Sequence, residues 1–370
     1  MTLALTTILV ILLIHLAVVF FNALSAPLVK NGPLPAASPR VSVLVPARNE
    51  EKKIHTCLAA LQKQKYAKLE ITVLDDQSTD RTAEIVRQFA AVDSRFHLIE
   101  GKPLPEGWTG KNWACHQLSQ QSDTDILIFT DADNWISADA VAKTVGWMQK
   151  YGLALFSCFP QQITRTWGEK LVVPMFDLFV YGFLPLQLTY RTRFASLAAA
   201  NGQWMAFDRR SYLALGGHHR VRHHIVEDVE FSRLMKKLGC KIITASGRDA
   251  VFGRMYTNWP EVWQGFSKNA FGLVAFKTIP FIALLVMLTA IYILPYVGLI
   301  LWPYNQLLLA AVGMNLAIRA ITAIKFKQPI FCSIVLHPLA VALTLAIGVN
   351  SLVKHRQGEI DWKGRAVPMQ

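Results

Sequence analysis

Residues 70–80 read EITVLDDQSTD: a short β-branched run, Ile71-Thr72-Val73-Leu74, that ends abruptly in acids. Such a run suits a strand buried on both faces. Successive strand side chains alternate, so Asp75 and Asp76 cannot both face the core. One of them can accept hydrogen bonds from a base or ribose, as acids do at strand ends in other nucleotide folds. A plain turn with a helix cap is the competing reading, since Ser, Thr and Asp favour both. Working outward, Val41 to Val45 is a second apolar run, followed by a helical stretch from Asn49, a plausible cap, to about Gln64. Downstream, a helix over Thr82 to Ala90, a strand over Phe96 to Glu100, a helix over Lys111 to Gln121, a strand over Asp125 to Phe129 and a helix over Ser137 to Lys150 follow in turn. This alternation predicts an α/β fold with a mostly parallel sheet, and ligands at the carboxyl ends of its strands.

A second strand end carries acids too. Ile126-Leu127-Ile128-Phe129 runs into Thr130-Asp131-Ala132-Asp133. Two carboxylates one residue apart can grip one Mg²⁺ or Mn²⁺ that also binds a diphosphate. A lone Asp-x-Asp is more often a loop of solvated acids; two acidic clusters at two strand ends in one domain are harder to dismiss. A third acidic pair, Glu227-Asp228, opens a helix that runs to about Leu238, where acids would also complement the helix dipole.

The bulk composition points to lipid. Of 370 residues, 52% are hydrophobic and 17% charged, too apolar for a soluble enzyme of this length. The formal net charge is +13, which fits anionic headgroups or phosphorylated substrates. No nucleic-acid-binding motif accompanies it, so nucleic acid is not an expected partner. Five scattered cysteines without a C-x-x-C pair suggest neither a disulfide framework nor a zinc site.

Residues 2–21 are long and apolar enough to span a bilayer, and with nothing basic before them and Lys30 and Arg40 after them they read as an uncleaved anchor. Four prolines then make residues 27–39 a stiff linker. Apolar runs return at about Thr278 to Trp302, Asn305 to Ile324 and Pro329 to Val353. The expected organisation is an anchor over 1–26, a linker over 27–39, a cytoplasmic catalytic domain over 40–275, membrane segments over 276–353 and a basic tail over 354–370. Three full crossings would put that tail outside, whereas the positive-inside rule wants it in the cytoplasm. One run is therefore expected to be broken or re-entrant: either that containing His337-Pro338 or that containing Pro280 and Pro295. Residues 167–194 mix aromatics with Lys170, Arg191 and Arg193, and read either as a segment lying on the membrane surface or as core. Pro174 and Pro185 argue against one straight helix there.

Four segments in order, VSVLVPARNEE (41–51), LDDQSTDRT (74–82), FTDAD (129–133) and VEDVEFSRLMKKLG (226–239), resemble the family 2 glycosyltransferases, whose GT-A fold binds a nucleotide-diphospho-sugar. GWTGKNWACHQL (107–118) is similar to ceramide glucosyltransferase-like, hopanoid-associated and carotenoid members, as is the layout of a catalytic domain between N- and C-terminal transmembrane helices. The resemblance implies a nucleotide-sugar donor site lined by Pro46, Ala47, Arg48, Glu50, Asp75, Asp76, Lys111, Asp131, Ala132 and Asp133, with Asp76 on the uracil or ribose side and Asp75 beside it. It further implies a divalent cation (Mn or Mg) on Asp133 and Asp131, and Asp228 as the catalytic base of a single inverting displacement. Glu227, Gly202 and Gln203 would approach the sugar or acceptor. The family's Q-x-x-R-W motif is missing; Trp263, Gln264 and Lys268 stand in the equivalent region. Its absence favours transfer of one sugar over polymer synthesis.

The implied product is a single sugar, from a UDP-sugar, on the hydroxyl of a membrane lipid of carotenoid, hopanoid or glycerolipid type, made by a multi-pass protein of the inner membrane. Polyprenyl phosphate is the rival acceptor, and a non-catalytic membrane scaffold the rival class. The run His218-His219-Arg220-Val221-Arg222-His223-His224 lacks metal-ligand spacing and reads as a mobile basic loop over the donor phosphates, or as a solvated one. Trp362-Lys363-Gly364-Arg365 is similar to an element that follows the last span in related enzymes, and is expected to return to the active-site face unless it is a juxtamembrane basic cluster.

Overall fold

The computed structural model describes residues 2–274, 276–357, 361–362 and 365–366. The chain divides into two compact units. One comprises Pro27–Gln161 and Leu186–Arg254; the other comprises Met1–Ala26, Gln162–Pro185 and Met255–Gln370.

The first unit is built on strands β1 (Val41–Ala47), β2 (Leu69–Asp75), β3 (Phe96–Glu100), β4 (Ile126–Thr130), β5 (Asn134–Ile136), β6 (Leu155–Phe159), β7 (Trp204–Asp208), β8 (Ile242–Ser246) and β9 (Val251–Gly253). Seven of them form one sheet in the order β3-β2-β1-β4-β7-β6-β8. Strands β1 to β4 are mutually parallel, and β7 runs antiparallel to both β4 and β6. Strands β5 and β9 pair separately. Both faces of the large sheet are covered, which explains the unbroken apolar strands. Val43, Ile71, Ile128 and Trp204 enter one core, and Leu44, Leu74, Leu127 and Phe207 enter the other. The chain steps outward from β1 through β2 to β3, then returns to place β4 on the other side of β1. That reversal opens a crevice at the carboxyl ends of β1 and β4, where such sheets bind ligands.

Element types match the sequence expectation, with one boundary corrected. The helix expected from Asn49 starts at Ile54. Asn49 instead adopts a left-handed backbone (φ 53°), accepts a hydrogen bond on Oδ1 from the Thr79 amide (2.8 Å), and donates its own amide to Ser78 Oγ (2.9 Å). It thus buttresses the loop after β2 rather than capping a helix, because a short polar side chain tolerates this conformation. The proline-rich stretch lies against helix Ala140–Tyr151, where a Cβ on Gly146 would stand 1.8 Å from the Pro33 carbonyl oxygen. Only glycine permits that approach.

Among the described residues, the second unit holds four helices long and apolar enough to cross a membrane: Thr2–Ser25, Thr278–Leu301, Gln306–Phe326 and His337–Gln357. Both proline-bearing runs are interrupted: the first helix stops at Tyr292 and resumes at Leu294 around Pro295, which has no amide to continue the ladder, and in the second a short helix Ile330–Ile334 ends before His337–Gln357 begins. The His337-Pro338 pair opens its helix, where proline in the first turn is tolerated. Pro174 also differs from expectation, since helix Trp167–Phe183 runs through it and the break falls at Leu184-Pro185 before helix Leu186–Arg191. Side-chain hydrogen bonds tie these helices together. Asn22 donates to the carbonyls of Tyr181 (2.7 Å) and Leu184 (2.8 Å), and His15 shares a hydrogen bond with Tyr292 (2.7 Å). In the Trp-Lys-Gly-Arg element, Lys363 and Gly364 lie outside the described residues, and Trp362 pairs in a two-residue ladder with Arg365.

Candidate active site

The site grows from the ends of β1, β2 and β4. Parallel register sets Ala47 opposite Asp75, so the loops after these strands leave side by side. The Asp76 amide donates to the Ala47 carbonyl (2.7 Å), and Arg48 donates to the Asp76 carbonyl (2.9 Å). Asp75 Oδ2 accepts from the Ser78 amide (3.4 Å), while its buried Oδ1 finds no protein partner. A buried carboxylate oxygen left in that state is costly unless a ligand donates to it. Pro46 and Ala47 form the edge of β1, and the Glu50 amide donates to Thr82 Oγ1 (2.8 Å).

Beyond β4, Ala132 turns into the core (3% exposed), leaving Asp131 and Asp133 on the other side of the turn. Lys111 Nζ lies 2.8 Å from Asp131 Oδ1, 3.4 Å from Glu227 Oε1 and 3.5 Å from the Gly202 carbonyl. Lys53 Nζ lies 3.5 Å from Asp133 Oδ2. The Gly202 amide donates to Asp228 Oδ2 (2.8 Å), and the Val229 amide donates to Asp228 Oδ1 (2.8 Å). A Cβ on residue 202 would stand 2.9 Å from Lys111 Nζ and 3.0 Å from Glu227 Oε1, so the bare backbone lets these three groups converge. Residues from two of the four sequence segments, 129–133 and 226–239, and from the lysine segment therefore meet in one cluster with Gly202.

Its electrostatics are uneven. Asp228 is surrounded by protein although its rim is accessible. Burial, with the Glu227 charge beside it, pushes its carboxyl well above the ordinary range, to about 7, against the opposing pull of Lys111 and the two amides. For Lys111, burial opposes the charged form, but Asp131 and Glu227 outweigh it and hold the ammonium well above its usual value. A carboxylate near neutrality beside a permanently charged lysine can accept a proton and still be partly ionised at physiological pH.

Supporting side chains fix this geometry. Thr130 Oγ1 and Asn134 Nδ2 both donate to the Gln203 carbonyl (3.0 and 2.6 Å), and the Asn201 amide donates to Ser157 Oγ (2.8 Å). Gln203 itself turns inward, donating to Asn134 Oδ1 (3.1 Å). Asn112, fully buried, donates to the carbonyls of Val221 (2.8 Å), Arg222 (3.3 Å) and His224 (3.0 Å). The histidine run is thus pinned to helix Gly110–Gln120. His218 is core, 1% exposed and bonded to Tyr212 Oη (2.7 Å), which corrects the expectation of a wholly mobile or solvated loop. Lys53, Asn112 and Asn134 are the residues that sequence reasoning missed; Asn134 stood directly after the acidic motif and Asn112 directly after Lys111, but nothing local marked Lys53. Trp263, Gln264 and Lys268 lie on helix Trp259–Asn269 in the other compact unit.

The chain is similar to known proteins in sequence and in fold. Residues 42–215 match the family described as Glycosyl transferase family 2. The chain is 29% identical over 259 residues to 4,4'-diaponeurosporenoate glycosyltransferase of Staphylococcus haemolyticus, covering 67% of this chain and 65% of that protein. It is 26% identical over 343 residues to the protein of that name from Staphylococcus aureus (strain MRSA252), covering 88% and 87%. Among solved structures, a mannosyltransferase from Pyrobaculum calidifontis in complex with GDP-Man and Mn²⁺ superposes with a TM-score of 0.55 at 21% identity, covering 95% of this chain and 98% of that one.

Proposed function

We propose that the chain, whose residues 42–215 match the Glycosyl transferase family 2 model, transfers one sugar from a nucleotide-sugar to a membrane lipid by a single inverting displacement. The observation that carries this reading is Asp228, aimed by the Gly202 amide and raised to about 7, in one cluster with Asp131 and Lys111. Asp228 takes the proton from the acceptor hydroxyl as that oxygen attacks the anomeric carbon from the face opposite the nucleoside diphosphate. One displacement turns an α-linked donor into a β-glycoside. Asp75, with its unpartnered oxygen, accepts from the ribose or base, and Arg48 stiffens that wall.

Asp131 and Asp133 would hold a divalent cation. Their oxygens are the donor type that Mg²⁺ and Mn²⁺ prefer, and the Lys111 ammonium already marks a cation position on Asp131. Among the described residues no group of three or more protein ligands gathers, so donor phosphates would complete the coordination. When bound, the cation neutralises charge developing on the leaving diphosphate. Lys111 adds a fixed positive charge on the same side, and Glu227 orients Lys111.

A lipid acceptor accords with four membrane-length apolar helices in the same chain and with relatives named for acting on a carotenoid acid. The proposed location is the inner membrane, multi-pass, with the catalytic unit and the basic tail in the cytoplasm. Membranes holding the protein, incubated with labelled UDP-glucose and total lipid, should form lipid-soluble label that disappears with EDTA and returns with Mn²⁺. Labelling that persists unchanged in EDTA sinks the metal assignment; no lipid-soluble label from any nucleotide-sugar sinks the reaction.

The pH dependence follows from the base. The acid limb of kcat/KM should fall near pH 7, with activity rising as Asp228 loses its proton. Glu227→Gln removes a like charge that keeps Asp228 protonated, so it should move this limb to lower pH by roughly one unit. An unmoved limb in that variant contradicts Asp228 as the titrating base.

A further inference from the structure

By length alone helix His337–Gln357 could cross a bilayer, but its contacts, all inside one compact unit, run along only part of a neighbouring span. At its start, the His337 ring packs on Tyr292 (centroids 5.0 Å apart). Tyr292 lies about 21 Å along its own helix from Thr278, at roughly 1.5 Å per residue, which is beyond the middle of a hydrocarbon core about 30 Å thick. Further on, a Cβ on Gly348 would stand 2.9 Å from Leu285 Cδ2, and Ser351 Oγ accepts from the Phe271 amide (3.1 Å). The His355 ring finally meets Phe271 and Phe276 (centroids 5.0 and 4.9 Å), which both precede Thr278. The helix thus begins deep beside the Thr278–Leu301 span and ends at that span's entry. The chain reaches His337 without a third crossing. After Gln306–Phe326 has returned it to the entry side, Gln328 Nε2 donates to Asp177 Oδ2 (3.1 Å) on helix Trp167–Phe183, whose Val172 and Val173 cluster with Ile347. Helix Ile330–Ile334 then doubles back along Gln306–Phe326, where its Ser333 carbonyl accepts from Arg319 Nε (2.8 Å).

We propose that residues 330–357 are a re-entrant hairpin that docks in the acyl chains of one leaflet. It enters after Gln328, turns at Val335-Leu336 and returns to the same face, presenting the exposed side chains of Ile330, Phe331, Val335 and Leu339 to lipid. The inference goes beyond the transfer reading and stands independently of it. Irregular backbone at membrane depth persists only where protein satisfies it. Asn315 and Arg319, fully buried and one helical turn apart, do this at two breaks. Arg319 serves the Ser333 carbonyl at the hairpin's turn, and Asn315 Nδ2 donates to the Ile291 carbonyl (2.8 Å), for which Pro295 has no amide. The charges agree with this path. Lys277, Lys325, Lys327, Lys354 and Arg356 fall on one face, and Trp302-Pro303-Tyr304-Asn305, on the other, carry no charge. A third crossing would instead strand Lys354 and Arg356 on the face of that uncharged loop.

The test uses the full chain in the cell membrane, with one cysteine added at a time and the wild type as the background for its five native cysteines. Tyr304→Cys, Lys327→Cys and Gln357→Cys are treated with a membrane-impermeant maleimide before and after the membrane is permeabilised. Lys327→Cys and Gln357→Cys should label under the same condition, and Tyr304→Cys under the opposite one. Labelling of Gln357→Cys together with Tyr304→Cys, apart from Lys327→Cys, means a complete crossing and overturns the hairpin. Labelling of all three under one condition overturns it as well, because no crossing then flanks it. In proteoliposomes, a nitroxide attached to Val335→Cys should collide more with oxygen and less with a water-soluble nickel chelate than one attached to Val349→Cys, since the first marks the turn and the second lies near the exit. A crossing run would leave both labels close to opposite surfaces, and equal collision with the chelate at the two positions sinks the hairpin. None of these readouts depends on sugar transfer.

Discussion

Asp228→Asn should lower turnover of the transfer reaction by about 10²–10⁴-fold, the range set by losing a general base. Asparagine has nearly the same shape, and its oxygen can still accept from the Gly202 or Val229 amide, so the loop before β7 and the start of helix Glu227–Lys237 keep their places. What disappears is the site for the acceptor's proton. Glu227 cannot take over, because it is 6% exposed and held by Lys111. Nucleotide binding should change little, as the strand-end acids Asp75, Asp131 and Asp133 remain. The measurement is single-turnover transfer beside labelled-nucleotide binding. Turnover within tenfold of wild type would remove Asp228 from the base role, whereas loss of both turnover and nucleotide binding would mark it as structural.

Trp204→Ala should produce the largest loss of stability. Trp204 heads the fully buried side chains by volume, and its indole nitrogen donates to Thr144 Oγ1 (3.1 Å) on helix Ala140–Tyr151. It stands on β7, the antiparallel strand between β4 and β6, so it fastens that strand to a covering helix. Truncating a buried tryptophan costs about 3–5 kcal/mol, which for a unit of this size lowers the unfolding temperature by roughly 10 °C. Near-ultraviolet circular dichroism of the detergent-purified chain on heating reads this directly. Trp204→Phe should recover most of the loss by refilling the cavity without the indole hydrogen bond. A shift under about 3 °C in the alanine variant would mean that the core closes over the gap. Because the Gln203 carbonyl beside it anchors Thr130 and Asn134, the same variant should also loosen the loop that carries Gly202.

Much of this molecule was legible before any coordinates. The short unbroken apolar strands, the acids at the ends of β2 and β4, and the helix opened by Glu227-Asp228 are local features, written in consecutive residues. A strand that runs straight into two acids places them at a carboxyl edge whatever else the chain does. The four apolar helices were legible for the same reason, since length and hydropathy need no partner. Local signals misled where tertiary contacts outweighed them. Asn49 looked like a cap until the Thr79 amide claimed its side chain; Pro174 looked like a break but lies inside a helix; and His218 looked like part of a loose basic loop but is packed against Phe129 and Tyr212.

The acidic strand ends that opened the reading placed two pairs of acids at one carboxyl edge of the sheet and carried the resemblance to a family. They could not say which cations those acids face. Lys53 meets Asp133 across 80 residues, Lys111 meets Gly202 across 91, and Asn112 holds Val221 across 109. Such pairings exist only once the sheet order has set β1 between β2 and β4 and brought two helix N-termini to the same edge. The tertiary structure alone therefore decided that the site carries its own ammonium groups. It decided as well that the Gly202 amide holds Asp228 and that burial lifts the Asp228 carboxyl towards neutrality, because charge interactions depend on distance and burial and not on position along the chain.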